Sequence, residues 1–280
     1  MIGAVIVAKN EERYIQPTLL AVKPMLDWWT VVDTGSTDRT IDLVHETMDG
    51  VPGELHERPW VSYGANWTEA MGLARDKADW LIRLDADWKV STVPGTREWL
   101  NSDPDPTTDI WQVPIWDNGM TWHLPLILRG SLDWEYLGPC HEYLDAKGRK
   151  QRQILGFEVA HMRPGGHDPE RFHEYIRLLA DDCAAGEPRA VFYTAESYRF
   201  IGDKEKAIEF YRRRVSIKNG FPEESWYAAY QAARLSRDVE ELLYVWRQRP
   251  WRSEPLADCA AIVAEDGPRG DVLFLQECRC

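Results

Sequence analysis

The sequence of 280 residues has few cysteines, no excess of positive charge and no long apolar run. The five cysteines are an odd number, are widely spread and form no Cys-x-x-Cys pair, so the close ligand spacing of a structural zinc site is missing. Acidic residues outnumber basic ones by 46 to 33, for a formal net charge of −13. Such a charge disfavours nucleic-acid binding by charge neutralisation. No apolar run approaches the roughly 18–20 residues that span a bilayer.

The first residues also lack the features of a secretion signal. Met1–Ala8 is apolar, has no basic leader or cleavage site, and is followed at once by the polar run Lys9–Glu12. This pattern predicts a first β-strand rather than a signal peptide, and a cytoplasmic location is expected. A hydrophobic content of 44% with 28% charged residues is typical of a folded globular protein.

Short apolar runs alternate with helical patterns in the first half of the chain. Strands are predicted at Ile2–Ala8, Thr30–Asp33, Glu54–Arg58 and Trp80–Leu84, and helices at Glu11–Val22, Thr37–Met48 and Asn66–Lys77. Strand-like but less regular segments follow at Ile110–Ile115, Leu124–Leu128 and Gln153–Val159. This alternation predicts an α/β domain with a mainly parallel, Rossmann-like sheet and right-handed crossovers.

The second half of the chain is predicted to be almost entirely helical. A Pro- and Gly-rich break at Pro164–Pro169 separates the halves, so domains are expected at residues 1–168 and 169–280. Helices are predicted at Glu170–Ala184, Arg189–Ile201, Lys204–Ile217, Glu223–Leu235 and Val239–Arg247. The spacing of small and aromatic residues over Tyr198–Tyr211 is similar to one tetratricopeptide unit. This smaller domain is expected to shape an acceptor site or to mediate self-association, and its Arg212–Arg214 triplet to be a solvated face.

Three polar clusters follow predicted strands: Lys9–Glu11, Asp33 and Asp85–Asp87. Ligands of open parallel sheets bind beyond the carboxyl ends of the strands, where these clusters are expected to meet. Two ionised carboxylates so close together in a cleft need a cation, and Mg²⁺ or Mn²⁺ would meet that need and accept diphosphate oxygens. Each cluster also has a plainer interpretation, since Asp-x-Asp is often a solvated turn and Asp33 before Thr-Gly-Ser could form an Asx-turn.

Several ordered motifs together resemble the family 2 glycosyltransferases with a GT-A fold. They are Ile2–Glu12, Val31–Thr40, Asn66–Asp87, Gly138–Glu142 and His161. The last two are similar to the G-x-x-H-E … H pattern of family members that carry tetratricopeptide tails. The resemblance implies inverting transfer of a sugar from a nucleotide-diphosphate donor, usually a UDP-sugar.

The resemblance also implies which residues bind the donor. Val7, Lys9 and Glu11 would line the ribose and base, Asp33 would hydrogen-bond the base or ribose, and Asn66 would sit on the donor side of the cleft.

The Asp-x-Asp motif and a later histidine are implied to hold the metal ion. Asp87 would be a direct ligand of Mn²⁺ or Mg²⁺, and Asp85 would face the ribose or metal-bound water. His161 resembles the histidine that completes the coordination, although a lone histidine ending an apolar strand is more often a structural hydrogen bonder.

Inversion needs a general base that takes the acceptor proton. Glu142 is the candidate, with His141 orienting it or contacting phosphate, and a surface His-Glu pair is the alternative. Asp117 and Asp133 are reserve candidates. Arg129 is a candidate diphosphate contact or, equally, a member of a surface ion pair.

The sequence departs from the family pattern at two places. Trp88-Lys89 follows the Asp-x-Asp motif where many relatives have an acidic residue, and the indole could stack on a sugar or acceptor. Ala65 stands where relatives often have arginine, which removes one phosphate contact. The Gln-x-x-Arg-Trp motif of processive synthases is absent, so transfer of a single sugar is expected.

Two other functions are weighed against this one. A sugar nucleotidyltransferase would use a similar fold but usually opens with a Gly-rich loop after the first strand, where this chain has Lys9–Glu12. A non-catalytic helical-repeat protein with a dead transferase domain is disfavoured by Asp85, Asp87 and Glu142. The acceptor stays open among a saccharide, a protein and a modified nucleobase.

Overall fold

The computed structural model describes residues 1–117, 119–162 and 169–266, which fall in two compact units, Met1–Gly166 and His167–Cys280. The strands are β1 (Ile2–Ala8), β2 (Trp28–Asp33), β3 (Gly53–Glu57), β4 (Trp80–Asp85), β5 (Trp88–Thr92), β6 (Ile110–Asp117), β7 (Met120–Arg129), β8 (Tyr136–Leu137), β9 (Tyr143–Leu144), β10 (Gln151–Gln153) and β11 (Phe157–His161).

The helices of the first unit are α1 (Ile15–Val22), α2 (Thr40–Met48), α3 (Tyr63–Ala74) and α4 (Thr96–Asn101), with a 3₁₀ turn at Lys23–Met25. Those of the second unit are α5 (Pro169–Leu178), α6 (Ala180–Ala185), α7 (Pro188–Phe200), α8 (Lys204–Ser216), α9 (Pro222–Ser236), α10 (Val239–Gln248) and α11 (Glu254–Asp266).

The first unit is built on one large sheet with the strand order β3-β2-β1-β4-β7-β6-β11-β5, and β10 pairs with β6. β3, β2, β1 and β4 are mutually parallel, whereas β7 is antiparallel to both β4 and β6. Apolar side chains are buried on both faces of the sheet, as two separate clusters. The continuous apolar run of β1 follows from burial on both faces. The predicted α/β domain with a mainly parallel sheet is confirmed.

The first two helices begin later than their sequence patterns predict. α1 starts at Ile15 rather than Glu11, and α2 starts at Thr40 rather than Thr37. Asn10, directly before the predicted helix, has a left-handed φ of 54° and accepts a hydrogen bond from the Thr37 amide, 2.8 Å away. The segments before the two helices form hydrogen bonds with each other. Contacts between distant segments of this kind cannot be predicted from the local spacing of apolar residues.

The structure has a strand, β5, that the sequence pattern does not predict, and it divides one predicted strand into two. β5 follows β4 after a two-residue turn, and β11 lies antiparallel beside it. The predicted strand Gln153–Val159 is interrupted between β10 and β11. The break at Pro164–Pro169 lies, except for Pro169, outside the described residues, and so does the Cys278–Cys280 tail.

The second unit consists of helices that pack around two apolar clusters. One cluster joins α7, α8 and α9 through small and aromatic residues, among them Ala195, Ala207 and Ala228, and the other joins α9, α10 and α11. Predicted Glu170–Ala184 is divided into α5 and α6, and α11 was not predicted. The tetratricopeptide character of these helices stays a prediction.

The expected solvated face at Arg212–Arg214 is wrong for Arg214. Its side chain is fully buried, and its guanidinium donates to the carbonyl oxygens of Ile217 and Phe221 at 3.3 and 3.0 Å. Arg214 therefore closes the turn between α8 and α9, while Arg212 pairs with Glu241 at 3.2 Å.

Candidate active site

The strand register brings three of the candidate residues to one edge of the sheet. Val7 of β1 pairs with Asp85 of β4, and the next residue of β1, Ala8, pairs with Asp33 of β2. Because these strands are parallel, their carboxyl ends form a common edge, where open α/β sheets bind ligands. The predicted clustering of Val7, Asp33 and Asp85 is thus present in the structure.

Asp33 is buried, and its carboxylate organises the loop that follows β2. The oxygens accept hydrogen bonds from the backbone amides of Gly35 and Ser36, 2.9 and 2.8 Å away, and from the Ser36 hydroxyl. This is the Asx-turn that was the plainer interpretation of the residue. Any effect of Asp33 on a bound base or ribose would be exerted through this loop.

The loops after β1 and β2 are linked by hydrogen bonds. The Glu11 amide donates to Thr40 Oγ1 at 2.7 Å, and the Glu12 amide donates to Asp38 Oδ2 at 3.1 Å. Although burial opposes it, hydrogen bonds from Thr40 and Glu12 hold the pKa of Asp38 below its ordinary value of 3.8. Lys9 at the start of this segment is exposed, whereas Glu11 is half-buried.

The Asp-x-Asp turn between β4 and β5 is tied to helix α1. The buried Thr18 hydroxyl lies 2.8 Å from the Ala86 carbonyl oxygen and 2.9 Å from that of Trp88, so it can donate to either. Asp85 and Asp87 are both half-buried at this turn. Trp88 itself is 2% exposed, which corrects the expectation that its indole could stack on a sugar or acceptor.

Arg83 is a site residue that the sequence analysis missed. Its Nη2 lies 2.9 Å from Glu142 Oε1 and 3.2 Å from Asp85 Oδ1. One buried guanidinium therefore joins the Asp-x-Asp strand to the candidate base, 59 residues away in the chain. An arginine inside the apolar run Trp80–Leu84 was the signal that could have revealed it.

Aromatic rings surround the guanidinium of Arg83. Its central carbon lies 4.1, 5.3 and 5.9 Å from the ring centroids of Trp67, Trp88 and Tyr136, distances at which cation–π attraction operates. Burial opposes the positive charge, yet the carboxylates of Asp85 and Glu142 outweigh it and raise the pKa of Arg83. Burial also raises the pKa of the Tyr136 phenol. Arg83 is therefore a permanent cation in this enclosed position.

The loop that carries His141 and Glu142 lies directly against the start of α3. A Cβ atom at Gly64 would stand 2.4 Å from the Gly138 carbonyl oxygen, so glycine permits this close approach. The Tyr63 amide donates to the Pro139 carbonyl oxygen at 3.0 Å. His141 has a left-handed φ of 50° and is half-buried like Glu142. These contacts hold Glu142 beside Arg83.

The three predicted metal ligands do not form a ready-made site. Within the ranges that the structure describes, no three His, Cys, Asp or Glu residues are grouped so that they could hold a metal ion. Asp85 is directed to Arg83, and the exposed His161 ring packs edge-on against Trp88 with 5.9 Å between centroids. The part that His161 would take in metal coordination therefore stays a prediction.

The carboxylates of the Asp-x-Asp turn still fit a divalent ion chemically. They supply hard oxygen ligands, and Mg²⁺ and Mn²⁺ commonly take their remaining ligands from substrate phosphates and water. Of the two, Asp85 already shares its negative charge with the guanidinium of Arg83, whose Nη2 lies 3.2 Å from Asp85 Oδ1.

Asn66 is fully buried and does not face a cleft. Its Oδ1 accepts from the Val61 and Ser62 amides at 2.9 and 3.2 Å, and its Nδ2 donates to the Pro59 carbonyl oxygen at 3.1 Å. The side chain therefore shapes the segment before α3, and any influence of Asn66 on a donor would act through this segment.

The reserve candidates lie in different places. Asp117 is the last residue of β6. Because β7 is antiparallel to both β4 and β6, these two strands run in the same direction, and Asp117 lies at the carboxyl edge of the sheet. Asp133 is exposed and pairs with Arg75. Arg129 of β7 lies opposite Trp80, at the other end of β4. Its Nη2 forms an ion pair with Asp103 Oδ1 at 3.0 Å. It is a member of an ion pair and not a contact at the site.

Comparison with known proteins agrees with this geometry. Residues 4–132 match the model of glycosyl transferase family 2. Over 90 residues, the chain is 31% identical to an uncharacterized glycosyltransferase of Rickettsia bellii and 31% identical to one of Rickettsia felis. These alignments cover 32% of this chain and 29% and 30% of the relatives, so the chain matches less than a third of the length of each.

Solved structures resemble the chain more extensively. S. aureus TarS superposes with a TM-score of 0.50 at 12% identity, over 86% of this chain and 53% of that chain. A TarS 1-349 structure in complex with UDP-GlcNAc gives a TM-score of 0.49 at 13% identity, over 96% of this chain and 91% of that chain. At this identity the likeness concerns the fold, and the expected GT-A domain followed by a helical region is confirmed.

The resemblance to family 2 glycosyltransferases is thus confirmed for residues 4–132. In the described part of the chain, no helix combines the length and the hydropathy needed to cross a membrane.

Proposed function

We propose that this protein is a non-processive, inverting glycosyltransferase that moves one sugar from a nucleotide-diphosphate donor, a UDP-sugar in the first instance. The observation that carries the proposal is the convergence of Asp85, Glu142 and the loops after β1 and β2 at one sheet edge. The family match of residues 4–132 supports it independently.

The donor is proposed to lie on the loops after β1 and β2. Val7, Lys9 and Glu11 would line the base and ribose, with Asp33 shaping the neighbouring loop through its bonds to Gly35 and Ser36. The hydrogen bonds between the two loops fix this surface before a ligand arrives, which reduces the entropy lost on binding.

The diphosphate is proposed to lie beside the Asp-x-Asp turn, where Asp87 would hold Mn²⁺ or Mg²⁺ and Asp85 would face the ribose or metal-bound water. When bound, such an ion offsets the charge that develops on the departing diphosphate. The tie from Thr18 to the carbonyl oxygens of Ala86 and Trp88 holds the turn in place.

Glu142 is proposed to be the general base, with His141 beside it. Its carboxylate takes the proton of the acceptor hydroxyl while that oxygen attacks the anomeric carbon from the face opposite the diphosphate. The bond from the anomeric carbon to the diphosphate oxygen breaks, and the diphosphate leaves with the electron pair. The ion pair with Arg83, 2.9 Å from Nη2 to Oε1, holds this carboxylate in position.

A binding and turnover screen tests the proposal. Melting temperatures are measured with UDP-, GDP- and TDP-sugars, each with Mn²⁺, with Mg²⁺ and with EDTA, because a ligand of the folded state raises stability by mass action. Slow release of nucleoside diphosphate from any stabilising sugar is then measured. A metal-dependent rise in melting temperature together with hydrolysis of the same donor is expected. Absence of both across the screen would contradict the proposed function.

A further inference from the structure

Arg83 is in an energetically unfavourable position that the fold alone does not require. Leu81, which lies two residues earlier on the same face of β4, is apolar and buried in the cluster formed with α3. A buried ion pair often contributes no more stability than apolar side chains of the same volume. Among the described residues, moreover, the Nε of Arg83 and the hydroxyl of Tyr136 have no hydrogen-bond partner. A charged side chain is thus present at a position where an apolar one would fill the space without the free-energy cost of burying a charge.

The contacts of Arg83 join two segments that belong to different sheets. β4 leads to the Asp-x-Asp turn, while Glu142 belongs to the loop between β8 and β9, which form a separate two-stranded sheet. A single nitrogen, Nη2, reaches both carboxylates, at 3.2 Å for Asp85 and 2.9 Å for Glu142. The rings of Trp67, Trp88 and Tyr136 limit how far the guanidinium can turn.

We propose that Arg83 is a positioning residue, which holds the carboxylates of Asp85 and Glu142 in a fixed mutual arrangement so that the donor and acceptor sides form one site. This inference rests on the proposed function for its catalytic consequence. The structural part, that Arg83 holds the 136–144 segment against β4, is independent of which reaction is catalysed.

The chain offers a matched control in Arg129. This arginine also stacks on a tryptophan, with 4.3 Å to the Trp80 ring centroid, and its side chain is 19% exposed compared with 9% for Arg83. It also binds a carboxylate, that of Asp103 at 3.0 Å, but at the opposite end of β4. Loss of Arg129 therefore reproduces the packing defect without touching the candidate site.

The test compares R83M, R83Q, R83K and R129M with the unaltered protein. The kcat and KM for the donor are measured, along with melting temperature and hydrogen exchange of segment 136–144. The neutral variants R83M and R83Q are expected to lower kcat about 100-fold, the scale for misplacing catalytic groups by about 1 Å, with a donor KM changed less than about threefold if donor binding is largely intact. Exchange in segment 136–144 is expected to rise.

R83K is expected to recover part of kcat, because it restores a cation beside both carboxylates. R129M is expected to lower the melting temperature but to leave kcat and the exchange of segment 136–144 close to those of the unaltered protein. If R83M does not fold, R83Q serves as the neutral variant.

Two results would overturn the proposal. One is a neutral variant with unaltered kcat and unaltered exchange in segment 136–144. The other is R129M lowering kcat as much as R83M does, which would mark Arg83 as a packing residue. If the unaltered protein turns over no nucleotide sugar, the proposed function fails by itself. Increased exchange in R83Q but not in R129M would then still support the positioning role, and unchanged exchange would refute it.

Discussion

Arg83 and Glu142 form an ion pair with 2.9 Å between Nη2 and Oε1, although 59 residues separate them in the chain. Their side chains are only 9% and 13% exposed, and Asp85 gives Arg83 a second carboxylate at 3.2 Å. Removing Arg83 takes the shared cation from both carboxylates, and breaking a buried pair in this way costs up to about 3–5 kcal/mol, whereas removing Glu142 leaves Arg83 paired with Asp85. Variants at either position therefore need a stability measurement beside every activity measurement.

Replacement of Glu142 by Gln tests the assignment of the general base. E142Q keeps the size of the side chain but cannot accept the acceptor proton, so transfer is expected to fall by at least about 100-fold while the donor still raises the melting temperature. Asp133→Asn is the control, because Asp133 is an exposed carboxylate paired with Arg75. Unchanged transfer in E142Q would place the base elsewhere, with Asp117 at the same sheet edge as the next candidate.

Replacement of Asp87 by Ala tests the metal assignment. D87A is expected to abolish turnover that depends on Mn²⁺ or Mg²⁺ and to leave the far-ultraviolet circular dichroism unchanged, because Asp87 is half-buried at a turn. Asp79→Ala is a suitable comparison, since Asp79 precedes the opposite end of β4 and pairs with the N-terminal amine. Full metal-dependent activity in D87A would remove Asp87 from the metal site.

Replacement of Gly64 by Ala tests whether activity needs the close packing of the Glu142 loop against α3. In G64A the new methyl group would meet the Gly138 carbonyl oxygen at 2.4 Å, so the loop must shift. A loss of about 1–3 kcal/mol in unfolding free energy is expected, together with a lower kcat. The measurements are chemical denaturation and steady-state kinetics.

Gly72 provides the control within the same helix. A Cβ atom there meets nothing within 4 Å, so G72A is expected to be neutral or to stabilise by up to about 1 kcal/mol through helix propensity. Equal effects of the two substitutions would show that helix propensity, and not the approach of the loop, governs this position.

The sheet and the place of the site follow from local patterns in the sequence. The apolar run Ile2–Ala8 predicted β1 with its observed bounds, because a strand covered on both faces has no polar positions. The predicted strands Thr30–Asp33 and Trp80–Leu84 lie within the observed β2 and β4, since turn residues follow directly after these strands. Parallel pairing then brought these ends together, as the general rule for open sheets requires.

The parts that sequence reasoning missed depend on contacts between distant segments. Glu11–Tyr14 has helical spacing but is held outside α1, because the Glu11 amide binds Thr40 Oγ1. The role of Arg83 depends on Glu142, and no local pattern connects the two. Asn66 was assigned to the donor by resemblance, whereas its burial and its bonds to residues 59–62 became visible only in the folded structure.

Acid is expected to loosen the connection between the loops after β1 and β2. The folded-state pKa of Asp38 lies below its ordinary value of 3.8, since the hydrogen bonds from Thr40 and Glu12 outweigh the opposing effect of burial. A lowered pKa means that the stabilisation is present above about pH 4 and is lost as the pH falls through the folded-state value. The carboxyl carbon of Asp38 and the amide of Thr40, which lies 3.0 Å from Asp38 Oδ1, are followed by NMR from pH 6 to pH 2.

The two signals are expected to change together at a pH below 3.8, the ordinary pKa of the aspartate side chain. Asp38→Asn is the control, because it keeps an oxygen acceptor for Thr40 but has no charge to lose, so its Thr40 amide should be insensitive to pH over the same range. A Thr40 amide that shifts equally in both proteins would assign the acid response to another carboxylate. A midpoint above 3.8 would show that burial, rather than hydrogen bonding, controls the ionisation of Asp38.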